Sequence, residues 1–314
     1  MNQSESRCVD GKQAARCASH WSWDSIPQEG KMTTPDVMYN ARSSLTANDN
    51  LYLDLLKKCL TGCLYPESSN IEIYPRRGMR FARRALVEAL RKRGYKLFKV
   101  VPFDPKAREF GTDWPSIAYS MVGCKRLDNL QWCVESVLQE GVPGDLIETG
   151  VWRGGACILM RAILKLYAIE DRCVWLADSF QGLPAPSLDA DRGYDLSENR
   201  YNAVSLEAVQ AAFERFGLLD GQVRFLKGWF KDSLPTAPIN SLAILRMDGD
   251  LYESTMDALV SLYHKVSRGG FIIVDDYHPW PPCKRAVDEY RARNNILAPL
   301  QEIDGMGVFW KKSC

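Results

Sequence analysis

The chain has 314 residues, 46% hydrophobic and 25% charged, with a formal net charge of +1. That length suits one full α/β domain with an appended segment, or two small domains, and allows a sizeable core. The near-neutral balance offers no global basic field for nucleic acid and no acidic bias toward disorder.

Residues 1–48 are rich in Ser, Gln, Asn and Asp, follow no sustained period, and are expected to form a mobile polar extension. A first helix is expected from about Leu51, with Leu51, Leu55, Leu56 and Leu60 on one face, ending at a break that carries Gly62 and Pro66. Phe81 to Tyr95 reads as a basic amphipathic helix bearing Phe81, Leu86, Leu90 and Tyr95, with its Arg and Lys residues as a solvated face. Phe103 to Trp114 reads as a loop. From Asp145 onward, short apolar runs alternate with helical stretches. The runs are Leu146-Ile147, Val174–Ala177, Val223–Leu226, Leu242–Leu245 and Phe271–Val274; the helices between them include 155–167, 206–216 and 255–266. This alternation predicts a parallel sheet with helices on both faces. After a helix over 283–293, two short strands at 297–303 and 307–310 flank Asp304-Gly305. A tight turn joins only antiparallel neighbours, so one antiparallel strand is expected.

No apolar run reaches membrane-spanning length and the N-terminus has no apolar signal segment, so a soluble cytoplasmic protein without a membrane or nucleic-acid partner is expected. The ten cysteines are scattered. Cys59 and Cys63 form a close pair without a second pair or a His cluster, a weak zinc signal, and free buried thiols are the expected state.

Ligands of open α/β sheets sit beyond the carboxyl ends of the strands. After the first run comes Glu148-Thr149-Gly150-Val151-Trp152-Arg153-Gly154-Gly155. Its glycines permit a tight turn, and the following helix N-terminus offers free N–H groups to a carboxylate. Trp152 fills the middle position of a dinucleotide fingerprint, which disfavours a pyrophosphate. Asp178, followed by Ser179 and Phe180, ends the second run and can accept from ribose hydroxyls; it could equally cap a helix. Lys227-Gly228-Trp229-Phe230 ends the third run, where Trp229 could flank an adenine or belong to the core. Asp248-Gly249-Asp250 ends the fourth and Asp275-Asp276-Tyr277 the fifth. Adjacent strand ends bring Asp248, Asp275 and Asp276 together, where unpaired carboxylates repel, and a hard divalent cation such as Mg²⁺ relieves the repulsion. Helix capping, or pairing with Arg153 or Arg246, is the alternative. His278 is an alternative base or a loop residue bonded to backbone; His20 and His264 have no partner that the sequence identifies.

Together, Ser120–Gly123, Arg126–Leu130, Glu148–Gly155, Ala177–Pro184, Leu226–Phe230, Asp248–Thr255, Val274–Tyr277 and Cys283–Asp288 resemble the macrocin O-methyltransferase family, whose members include enzymes that methylate deoxysugar hydroxyls of antibiotics. The phrase Tyr52–Lys57 is similar too. The resemblance runs from about residue 51 to the C-terminus. It departs at Tyr119-Ser120, where members usually carry His-Thr.

The resemblance implies a Rossmann-like α/β class I methyltransferase fold, whose sheet carries one antiparallel strand, with a helical lid and acceptor region over 49–120 and an S-adenosylmethionine-binding domain over 121–314. It implies S-adenosylmethionine and Mg²⁺ as cofactors, and a small-molecule natural product, a deoxysugar moiety, as acceptor. It also implies a homo-oligomer and a place in antibiotic biosynthesis. By position, Asp248, Asp275 and Asp276 would ligate the metal and Asp248 would be the base. Met121, Glu148, Gly150, Arg153, Asp178, Ser179, Gly228 and Trp229 would surround the cofactor. Rival expectations are a catechol-type metal-dependent methyltransferase, a nicotinamide-dependent oxidoreductase, which would need a true GxGxxG, and a binding module that has lost catalysis.

Overall fold

The computed structural model describes residues 45–313, apart from 66, 68–69 and 76–78. Expectations for residues 1–44, including His20, and for Pro66 lie outside the described residues.

Helix α1 (Ala47–Thr61) opens on Thr46, whose hydroxyl accepts from Asp49 N–H while the Asp49 carboxylate takes the Thr46 N–H, and it closes on Gly62 in the left-handed region. It buries Leu53, Leu56 and Leu60, while Leu51 and Leu55 stay exposed, so the expected face is corrected. The helix carries more leucines than one stripe can hold, and the stripe chosen is the one that meets the core. A short antiparallel pair, β1 (Ile71–Glu72) and β2 (Phe98–Lys99), flanks α2 (Phe81–Lys92). Of α2 only Val87 is buried. Phe81, Leu86 and Tyr95 are exposed, against the expected apolar face. The expected loop before Trp114 instead contains α3 (Pro105–Phe110). Asp104 caps it by accepting from Lys106 and Ala107 N–H, and Pro105 sits where its missing N–H costs nothing.

Then follow α4 (Cys124–Gln139), β3 (Asp145–Thr149), α5 (Gly155–Leu166), β4 (Val174–Asp178), α6 (Leu206–Arg215), β5 (Val223–Lys227), the one-turn α7 (Phe230–Ser233), β6 (Leu242–Met247), α8 (Tyr252–Leu262), β7 (Val266–Val274), α9 (Pro281–Arg293), β8 (Gln301–Glu302) and β9 (Val308–Lys311). All five apolar runs are strands. The seven-stranded sheet has the order β5-β4-β3-β6-β7-β9-β8, with β9 antiparallel to both neighbours, as the Asp304-Gly305 turn predicts. β8 is shorter than expected, and Leu297 is 92% exposed. His264 lies in a 3-10 turn after α8.

Alternate residues of each strand feed opposite faces. Leu146, Leu176, Ile244 and Ile273 pack with α1, α4, α5 and α6. Ile147, Ala177, Leu245 and Ile272 pack with α8 and α9. α1 therefore belongs to the same core as α4 and α5. This three-layer arrangement directs the carboxyl ends of β3 to β7 to one edge, where the loops meet.

Candidate active site

Strands β6 and β7 run parallel with Met247 opposite Val274, so the residues that follow them emerge side by side. The Asp275 N–H donates to Met247 O at 2.9 Å, and the Asp248 N–H donates to Thr149 O at 2.9 Å. Carboxylate oxygens of Asp248, Asp275 and Asp276 lie within 4.8 Å of one another, with Asp275 and Asp276 buried. This donor set, hard oxygens in close array, fits a divalent cation.

Two buried guanidiniums hold the array. Arg246 Nη1 donates to Asp248 at 2.9 Å and also reaches Glu148, while its Nη2 reaches Asp275. Arg126, from α4, donates to the other oxygen of Asp275 and lies 3.0 Å from Asp304, in the β8–β9 turn. It also donates to Phe110 O at 3.0 Å, which ties α3 to the cluster. Arg126 and Arg246 pair with Glu148, Asp248 and Asp275, and Asp250 and Asp276 stand beside these acids, so among the described residues negative charge is in excess. Burial, then the neighbouring Asp275, pushes Asp248 up to about 6. Burial pushes Glu148 up to about 7 against the pull of Arg246. Burial and then Asp248 push Asp250 up to about 8, and burial with Asp250 holds Asp276 well above its ordinary value.

Beside the acids lies a cleft of about 180 Å³ whose walls include Met121, Gly150, Trp152, Asp178, Ser179, Asn202, Gly228, Trp229, Asp248 and Asp250. Its floor is the turn after β3. Trp152 is left-handed at φ 44°, a costly state for a bulky residue. It is held there by a hydrogen bond from Nε1 to Tyr201 O at 2.9 Å and by the Tyr201 ring at 5.2 Å. Asp178 accepts from Val151 N–H at 2.8 Å and Phe180 N–H at 2.7 Å, so its carboxylate is fixed at the cleft wall. The Asp248–Asp250 loop is pinned from a distance: Asp191 caps α8 by accepting from Tyr252 N–H at 2.6 Å and Glu253 N–H at 3.1 Å. Asp250 is itself left-handed at φ 56°, with its N–H given to Asp276 at 3.1 Å.

Met121, Gly150, Asp178, Ser179, Gly228 and Trp229 therefore meet at the cleft, and Asp248, Asp275 and Asp276 meet at its end. Glu148 lies beneath, bonded to Arg246 and to the Cys157 thiol at 2.8 Å. Arg153 turns outward, donating to Ser116 O at 2.9 Å and Ala118 O at 2.7 Å with its guanidinium over the Trp152 ring. His278 faces Glu302 at 2.9 Å. The pairing of acids with Arg246, weighed against a metal cluster in the sequence, is present together with the cluster. Asp250, Trp152, Asn202 and Arg126 were not among the expected site residues. An acid two residues after Asp248 was the readable signal for Asp250.

The macrocin O-methyltransferase (TylF) family model matches residues 49–312. Demethyldecarbamoylnovobiocin O-methyltransferase of Streptomyces niveus is 49% identical over 271 residues, 85% of this chain and 95% of that protein. A tetracenomycin-C 4'-O-methyltransferase of Streptomyces olivaceus, acting on the 8-demethyl-8-(2,3-dimethoxy-alpha-L-rhamnosyl) form, is 51% identical over 266 residues, 83% of this chain and 92% of that protein. The solved structure of the O-methyltransferase NovP, 49% identical, superposes with a TM-score of 0.72 over 85% of this chain and 100% of that one. The sheet with its antiparallel β9 is thus that of a class I methyltransferase, and the chain belongs to the macrocin O-methyltransferase family.

Proposed function

We propose that this O-methyltransferase moves a methyl group from S-adenosylmethionine to a hydroxyl of a small-molecule natural product, a deoxysugar moiety, with Mg²⁺ held by Asp248, Asp275 and Asp276. The observation that carries this is the convergence of the three carboxylates at the end of the cleft built from the Gly150 turn, Asp178 and Trp229. The sugar assignment is supported by the rhamnosyl group in the substrate for which the Streptomyces olivaceus relative is named.

S-adenosylmethionine supplies a sulfonium methyl that is displaced in line. A divalent cation at the acid cluster supplies Lewis acidity that makes a bound hydroxyl easier to deprotonate. The chain does the rest. The turn after β3 offers backbone N–H groups to the carboxylate of the donor, Asp178 accepts from ribose hydroxyls, and Gly228 leaves room for adenine beside Trp229. Holding donor and acceptor in line supplies roughly 7–11 kcal/mol of the barrier. Asp248 receives the hydroxyl proton at the mouth of the cluster. A second reading of the base rests on geometry. Asp248 is engaged by Arg246, whereas Asp250 also lines the cleft, stands on a left-handed backbone and is not paired with Arg246 in the salt bridges of the cluster.

Calorimetry tests the donor: S-adenosylmethionine binds and NAD does not, and the reverse result favours the oxidoreductase. Turnover is followed by mass spectrometry of the methylated product, lost with EDTA and restored by Mg²⁺. Asp248→Asn lowers turnover by orders of magnitude while cofactor binding survives; unchanged turnover removes Asp248 from the chemistry.

A further inference from the structure

The loop after α1 and the start of α4 bring two cysteines together. Cys63 Sγ and Cys124 Sγ lie 3.7 Å apart, though separated by 61 positions in sequence. The Thr61 hydroxyl lies 3.1 Å from the first sulfur and 3.6 Å from the second. The approach is held by backbone: Leu60 O accepts from Tyr119 N–H at 2.8 Å and from Ser120 N–H at 2.9 Å. Both thiols are partly exposed, whereas Cys133, Cys157 and Cys283 are buried and inert. Cys124 is the first residue of α4, a helix of 16 residues, and Arg108 is buried close by.

We propose that Cys63 and Cys124 are an oxidation site, a thiol pair that a hydroperoxide converts to an intramolecular disulfide. The Cys63 thiolate attacks one peroxide oxygen, which breaks the O–O bond, leaves a sulfenic acid on Cys63 and releases an alcohol, or water from hydrogen peroxide. Cys124 then attacks the Cys63 sulfur, the S–O bond breaks, and the hydroxyl leaves as water with the Cys124 proton. The two thiols lose two electrons and two protons in all, and the peroxide takes both. Thr61 and Arg108 stand beside Cys63, which favours its thiolate as the attacking group. The Cys63 thiol is lowered to about 6, first by the hydrogen bond with Cys124, then by Thr61 and Arg108 against burial, and Cys124 is pushed up by the same contact. Forming the bond requires the two sulfurs to move from 3.7 Å to about 2 Å apart. The bond would fasten the two ends of a segment that holds β1, α2, β2 and α3, together with Met121 of the cleft wall.

The test uses the full chain, reduced, freed of reductant and exposed to hydrogen peroxide, then alkylated and digested without reduction. The expected result is a Cys63 peptide joined to a Cys124 peptide, lighter by two hydrogens than their sum. The melting temperature should rise by roughly 5 °C, since the cross-link closes a long loop. Dithiothreitol reverses both effects. Cys63→Ser and Cys124→Ser each abolish the link and the shift, and Cys59→Ser abolishes neither. A Cys59–Cys63 link, a link between two chains, or over-oxidised Cys63 beside an alkylated Cys124 would overturn the proposal.

Discussion

A Cβ on Gly150 would lie 1.8 Å from the carbonyl oxygen of Asp248. The turn assigned to the donor and the strand end assigned to the cation are thus one packed unit, in which neither can shift alone. Gly150 also stands at φ 89°, where side chains are strained.

Gly150→Ala should therefore impair two functions at once. The backbone conformation alone costs roughly 1–3 kcal/mol, and the clash displaces Asp248. Affinity for S-adenosylmethionine should fall by about tenfold or more and Mg²⁺ affinity with it, both read by calorimetry. Loss of one without the other would separate the two sites.

Arg126→Met should be among the most damaging changes away from the cleft wall. It strips Asp275 and Asp304 of a buried cation, a change that typically costs about 3–5 kcal/mol. Urea unfolding measures the loss; a change below about 1 kcal/mol would show that the pair is effectively solvated.

Glu148 sets a pH dependence. Its folded value, about 7, lies above its ordinary 4.5 because of burial. A raised acid favours the folded state at low pH, and that contribution is lost as pH rises through 7. In EDTA the melting temperature should fall from about pH 4.5 upward, and Glu148→Gln should lessen the part of the fall below about pH 7, the raised Asp248, Asp250 and Asp276 supplying the rest. An unchanged slope in the variant would assign the effect elsewhere.

Asp248→Asn and Asp250→Asn should separate ligation from proton transfer. If Asp250 is the base, its amide loses a factor of about 10²–10⁴ in kcat while Mg²⁺ affinity stays near that of the parent. Asp248→Asn should lose both. Equal loss of Mg²⁺ affinity in the two variants would make Asp250 part of the cation site.

The strands and the acids at their ends were legible because buried parallel strands are short apolar runs and their loops meet at one edge. What stayed hidden is contact between distant residues. Arg126 reaches Asp275 across 149 positions, and Asp191 caps α8 from 61 positions before it. The helices before residue 120 misled for a different reason. α2 fully buries Val87 alone and is otherwise held by contacts such as Arg91 with Glu72, so its apolar positions do not report a core. Trp152 was read as filling a glycine's place, but its left-handed backbone is bought by Tyr201, which no local rule supplies.

Arg126 draws one of its two carboxylate partners from the turn between β8 and β9, 178 positions after it. During synthesis, α4 leaves the ribosome long before Asp304 does. Until the hairpin docks, the Nε arm of that guanidinium lacks its Asp304 partner, while Asp275 is held by Arg246. Assembly of the acid cluster is in this way deferred until β8 and β9 have been made and their turn has docked.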